Sequence, residues 1–205
     1  MKIQVAFWSG VLGALLFVIT SVLGGLQFEG YNFISQYISE SYATGVPHSE
    51  YLRQLFVLSG LLLALFGFMA PFALKAGKSI KVSFFLFAGF YGLGTVITGF
   101  FPCDFGCPSD AEVSVAQFIH NTSGFLTYAI VPFCLITVGL ASKKRFDSSR
   151  LSKVSLICGA LALAFVVVLF GKPQGPYIGV FQRIIEGSIL FWVMFTAFFI
   201  RNIKN

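Results

Sequence analysis

Charge is what this sequence has least of. Of its 205 residues 11% are charged, only eight are acidic and two are histidine, whereas 57% are hydrophobic and 26 are phenylalanine. A soluble domain clothes its surface with far more charge, so the composition excludes that class and points to a membrane protein. The scarcity of histidine narrows the chemistry further. His48 falls in a connection and only His120 lies near an apolar run, which leaves bis-histidine haem without a ligand pair, and no cofactor is expected. Cys103, Cys107 and His120 with a few carboxylates match no familiar zinc spacing, so no metal is expected either. There is no G-x-S-x-G, no low-complexity tail, no flexible linker and no internal repeat. The middle and inner parts of the apolar runs hold no chain of ionisable groups, which argues against a proton pump.

What the sequence does have is long apolar runs. They lie near 5–26, 54–74, 82–101, 121–141, 154–171 and 187–200, and a helix needs about 20 residues to cross the hydrocarbon core. The fold class expected is therefore an all-α membrane protein, a six-transmembrane-helix bundle forming a single domain over 1–205. The first run, after Met1 and Lys2, exceeds a signal-peptide core and has no small-residue cleavage site behind it, so it is read as a span that stays.

The net charge of +6 has a membrane explanation. Lys2; Lys75, Lys78 and Lys81; Lys143, Lys144, Arg145, Arg150 and Lys153; and Arg201 and Lys204 sit at alternate ends of the runs. The other connections hold Arg53, Lys172 and Arg183 among Glu29, Glu40, Glu50, Asp104, Asp110, Glu112 and Glu186. The positive-inside rule makes the basic ends cytoplasmic, with both termini inside, in the cell (inner) membrane. Membrane lipids are the expected partners, and nucleic acid is not.

The opposite ends carry the informative polar residues. In YNFISQYISE, Tyr31–Glu40, apolar and polar residues alternate in pairs, a period near 3.6 that predicts a short outer interfacial helix near 32–41 with Asn32 as N-cap. On it Ser35 lies above Ser39 and Gln36 above Glu40. FPCDFGCPSD places Cys103 and Cys107 in an outer connection, where a disulfide-closed turn is favoured over a metal site. IHNTSG puts His120 at the entrance of the fourth span, where it needs a partner; Asp104 and Glu40 are the candidates. GVFQRIIEG brings Gln182, Arg183 and Glu186 to the start of the sixth, with an Arg183–Glu186 ion pair available at i,i+3.

These segments also resemble a known family. FISQYISE after the first span, FPCDFGCPSD after the third, IHNTSG at the fourth and FQRIIEG at the sixth are similar, in order and placement, to the domain of unknown function 998 family of six-span prokaryotic membrane proteins. The resemblance implies the six-span architecture and draws attention to the same outer polar residues. It supplies no reaction.

Three functions remain in play. The first is a polar pocket at the extracytoplasmic side that binds a lipid headgroup or small solute through Glu40, Asp104, His120, Arg183 and Glu186; transport by so few spans would call for a homo-oligomer. The second is an intramembrane lipid hydrolase or transferase with Ser35 or Ser39 as nucleophile, His120 as base, Asp104 or Glu40 as its orienter and Arg183 as headgroup clamp. The third is a structural or accessory protein whose polar residues only tie helix ends together.

Overall fold

A computed structural model describes residues 1–108, 113–146 and 149–203 of the chain, with the side chains of 144–146 left out. Asp110, Glu112, Asp147 and Lys204, and the side chains of Lys144 and Arg145, thus lie outside the described residues. Six helices are long and apolar enough to cross a membrane: α1 Lys2–Gln27, α2 Ser49–Ala73, α3 Lys78–Phe100, α4 Val115–Phe146, α5 Ser149–Gly171 and α6 Ile178–Asn202. No strand occurs among the described residues. The chain is an all-α, polytopic membrane bundle.

Each helix packs on its neighbours in sequence, and α6 returns to pack on α1, so the six close into a ring. Lipid offers no hydrophobic drive for this, and close approach of backbones has to supply the attraction. Between α2 and α3 a β-carbon on Gly92 would collide with the backbone of Ala64, so glycine there sets how near the two helices come. The centre of the ring is aromatic. Phe66, Phe84, Phe87 and Trp192 meet edge to face or tilted, as ring quadrupoles favour, and the Trp192 indole donates to Ser155 Oγ at 2.8 Å so that its N–H is not stranded in the core.

Both chain termini lie at one end of this ring. There Lys2 and Lys81 stand over the Phe72 ring and Arg201 over Phe7, an arrangement in which an aliphatic stem stays on apolar surface while the cation reaches outward. The other end is built differently. The chain between α1 and α2 folds over it as a turn at Phe33–Ser35 and a 3-10 helix, Ile38–Tyr42. All five residues of that short helix are buried.

Three helices are longer at this end than hydropathy alone suggests, among them α2, which begins at Ser49 and not at 54. α6 begins at Ile178 and not at 187, and α4 at Val115 and not at 121. In α6 and α4 the added turns carry the polar residues that a hydropathy window rejects: Gln117, His120, Gln182, Arg183 and Glu186.

α3 has a local irregularity with consequences. Ala88–Leu93 is π-helical, and a π-turn leaves carbonyls poorly served by the helix itself. Hydroxyls from α4 take them up. Thr127 Oγ1 donates to the Phe90 carbonyl and Ser123 Oγ to that of Gly94, at 3.2 Å. Thr95 Oγ1 donates to the Tyr91 carbonyl at 2.8 Å within α3. The bulge is thereby fixed with Tyr91 turned into the ring.

Candidate functional site

The turn over the polar end is held mainly by one arginine. Asn32 caps it, its Oδ1 accepting the N–H groups of Ile34 at 2.8 Å and Ser35 at 3.3 Å. Arg183 of α6 then donates through Nη1 to the carbonyls of Phe33, Gln36 and Gly179 and through Nη2 to the Tyr31 hydroxyl, all within 2.6–3.0 Å. The rings of Tyr31 and Phe33 lie against its guanidinium. A β-carbon on Gly179 would collide with the carbonyls of Gln36 and Phe33, so the turn can seat on α6 only at a glycine. Burial pushes the Tyr31 phenol above its usual pKa, partly offset by the guanidinium beside it.

The predicted helix over 32–41 is therefore divided. Tyr37 is extended (φ −63°, ψ 151°) between the capped turn and the 3-10 helix. The reason is Glu40, whose Oε1 accepts the Tyr37 N–H and whose Oε2 accepts Gln36 Nε2, both at 2.8 Å, which caps a new helix start at Tyr37. Gln36 and Glu40 thus meet as their spacing predicts, but Ser35 and Ser39 do not share a face. Ser39 is buried, with its hydroxyl 3.4 Å from Cys107 Sγ; Ser35 lines a rim cleft with Glu40, Cys107 and Pro173.

Cys103 and Cys107 are joined in a disulfide. It pins the loop after α3 against the roof: Cys103 packs on Ala43 and Val46, and its carbonyl accepts the Thr44 N–H at 2.9 Å.

His120 pairs with neither Asp104 nor Glu40, contrary to the expectation from sequence. Its Nδ1 lies 3.0 Å from the Phe101 carbonyl. The last carbonyls of a helix have no partner within it, and α3 ends at Phe100, so the imidazole serves as its C-terminal cap. Asp104 turns the other way. It accepts the N–H of Ser114 at 3.0 Å and its hydroxyl at 2.7 Å, while Ser114 Oγ accepts the Gln117 N–H at the start of α4. A carboxylate beside a helix N-terminus is favourably placed, and the Ser114 N–H and hydroxyl hold the Asp104 carboxyl below its usual pKa. The fully buried Gln117 completes the junction, accepting the Asp104 N–H and donating to the Pro108 carbonyl and Asn121.

The Arg183–Glu186 ion pair is likewise not formed. Arg183 points up into the turn and Glu186 points into the ring, where its Oε2 accepts Tyr91 OH at 2.6 Å and its Oε1 accepts Tyr128 OH at 2.7 Å. Gln182 Nε2 donates to the same Tyr128 oxygen at 3.0 Å, and Gln182 Oε1 accepts the Ile38 N–H at 2.6 Å, tying this cluster to the roof. Below the 3-10 helix lies a chamber of about 80 Å³. Glu186, Gln182, Tyr91, Tyr128, His120 and Ser39 line it, with Tyr42 and Thr95, Thr98 and Thr127. Of the residues singled out from sequence, Ser39, His120, Gln182 and Glu186 reach this chamber; Ser35, Glu40, Asp104 and Arg183 do not.

This architecture has a family. A model described as a protein of unknown function, DUF998, matches residues 11–198. The chain belongs to the DUF998 family. That match runs from within α1 through most of α6 and takes in every residue of the chamber. No curated protein and no solved structure matches the chain.

Tyr91 and Tyr128, the two partners of Glu186, are not singled out by the sequence. Both stand inside apolar runs, where a tyrosine is indistinguishable by composition from the phenylalanines around it. The one available signal is the presence of a carboxylate near a span, since a buried carboxylate must find donors.

Proposed function

We propose that this DUF998 protein is a membrane-embedded binding protein whose chamber takes up a small group bearing hydroxyl or ammonium donors. The observation carrying this reading is Glu186. A carboxylate offers about four acceptor positions, and the tyrosines occupy one on each oxygen. Among the described residues no lysine or arginine lines the chamber. Such a site favours donors over acceptors, so an ammonium or hydroxyl complements it, whereas the oxygens of a phosphate would confront other acceptors. Positive-inside orientation would set the chamber toward the extracytoplasmic leaflet, with both termini cytoplasmic.

The hydrolase alternative lacks its relay. Ser39 and His120 both reach the chamber, yet the serine hydroxyl lies on the disulfide and the imidazole on the Phe101 carbonyl, while Asp104 is engaged with Ser114. A nucleophile, base and orienter need mutual contact.

Ethanolamine, which carries both donor types, is the probe. Calorimetric titration of the detergent-purified protein is expected to show saturable binding that weakens about tenfold or more in Glu186→Gln, the range for losing a hydrogen bond to a charged group. Absence of saturable binding, or equal affinity in the variant, overturns the reading.

A further inference from the structure

A second space adjoins the chamber. On the seam where α6 closes on α1, an apolar groove of about 300 Å³ runs between Phe17, Val18 and Val22 on one side and Gly187 and Leu190 on the other, with Phe33 and Ile38 above. Val18, Val22 and Gly187 are exposed, so the groove opens sideways, where the hydrocarbon of a bilayer lies. Phe17, Ile38 and Glu186 line both the groove and the chamber. Glu186 is thus shared between an apolar, laterally open slot and the polar chamber that its carboxylate faces.

We infer that the ligand is a single-chain membrane amphiphile with an amine head, its chain lying in the α1–α6 groove and its ammonium against Glu186. The inference rests on the reading of the chamber given above and adds the route of entry and the class of ligand. The apolar walls match an alkyl chain, which is at no disadvantage when it passes from lipid into such a slot. The acceptor oxygens of Glu186 at the end of the slot select a head that donates hydrogen bonds. Arg183 also borders the groove, but its Nη1 and Nη2 groups are turned to three carbonyls and the Tyr31 hydroxyl, which leaves Glu186 as the hydrogen-bonding group a head would meet.

Gly187 gives a clean way to test this. A β-carbon there would meet no atom within 4 Å, so Gly187→Leu fills the groove without straining the helix or reaching into the chamber. The experiment uses the full chain in nanodiscs and dodecylamine carrying a diazirine near the middle of its chain, with photolabelled peptides identified by mass spectrometry. In the wild type, label is expected on 17–22 and 187–190, competed by unlabelled dodecylamine. Gly187→Leu should lower that labelling about tenfold while ethanolamine affinity, measured as above, stays unchanged; that unchanged affinity also reports that the variant is folded. Labelling spread evenly over lipid-facing helices, labelling unaffected by Gly187→Leu, or stronger seam labelling by the matching dodecyl phosphate overturns the inference. In each of these cases ethanolamine binding at Glu186 still tests the chamber independently.

Discussion

Two arginines at opposite ends of the bundle show how differently the ends are made. Arg201 lies over the Phe7 ring near the C-terminus, at the end where Lys2 and Lys81 also rest on an aromatic face. Arg183 is half-buried, wrapped by two rings and hydrogen-bonded to three backbone carbonyls and a hydroxyl drawn from both α6 and the turn between α1 and α2. The first is a cation accommodated at a surface. The second is a piece of the structure, because carbonyls shut away from water are costly to leave unpaired and Arg183 donates to those of the turn.

The sharpest way to break the comparison is to remove each side chain. Arg183→Ala should lower unfolding stability in detergent by roughly 3–5 kcal/mol, since the partners left behind lose a charged donor they cannot replace. Arg201→Ala should cost about 1 kcal/mol or less, the range of an exposed cation–π contact. Thermal unfolding of the two variants side by side measures the difference, and near-equal losses would mean that the two ends are held alike.

Next in size is Gly179→Ala. The added methyl presses on the Gln36 and Phe33 carbonyls and on the Arg183 guanidinium, so the turn must lift from α6. An overpacking cost of about 1–3 kcal/mol is expected. Because Gln182 and the roof are joined through the Ile38 N–H, the same variant should raise hydrogen exchange at Gln36 and Ile38 before it affects the helices of the basic end.

The contrast between the ends also explains what can be read from sequence. Six spans, their approximate positions and the split between basic and polar ends follow from hydropathy and charge, which depend on composition over many residues. The partners at the polar end depend on single contacts across the ring. His120 is expected to seek a carboxylate, because charge suggests charge, yet the nearest unsatisfied groups are the carbonyls that end α3. Arg183 and Glu186 are neighbours on a helical wheel, but the direction of each side chain is set by what it meets beyond its own helix, and these two meet a turn and a pair of tyrosines. Glu40 shows the opposite case. Its bond to Gln36 is local, and i,i+4 spacing is enough to anticipate it. A contact within one turn is legible where neither side chain is claimed by another element, as in Gln36–Glu40 and unlike Arg183–Glu186; contacts between elements are not.

The smallest effect expected at the polar end belongs to Asp104, and it is confined to acid. The Ser114 N–H and hydroxyl favour its ionised form and lower its pKa in the folded chain, whereas the unfolded chain titrates near about 4. A depressed folded pKa means that the bond contributes its full stability above the unfolded value and loses it as pH falls through the folded one. Melting temperature in detergent, followed downward from neutral pH, should therefore fall more steeply below about pH 4 in the wild type than in Asp104→Asn, and the two curves should run parallel above it. Because Asp104 sits at the surface and not in the chamber, ethanolamine affinity should be the same in both proteins at neutral pH. A change in affinity there would tie the loop after α3 to the chamber more closely than its hydrogen bonds indicate, and would erase the distinction between residues that fasten the polar end and residues that line its cavity.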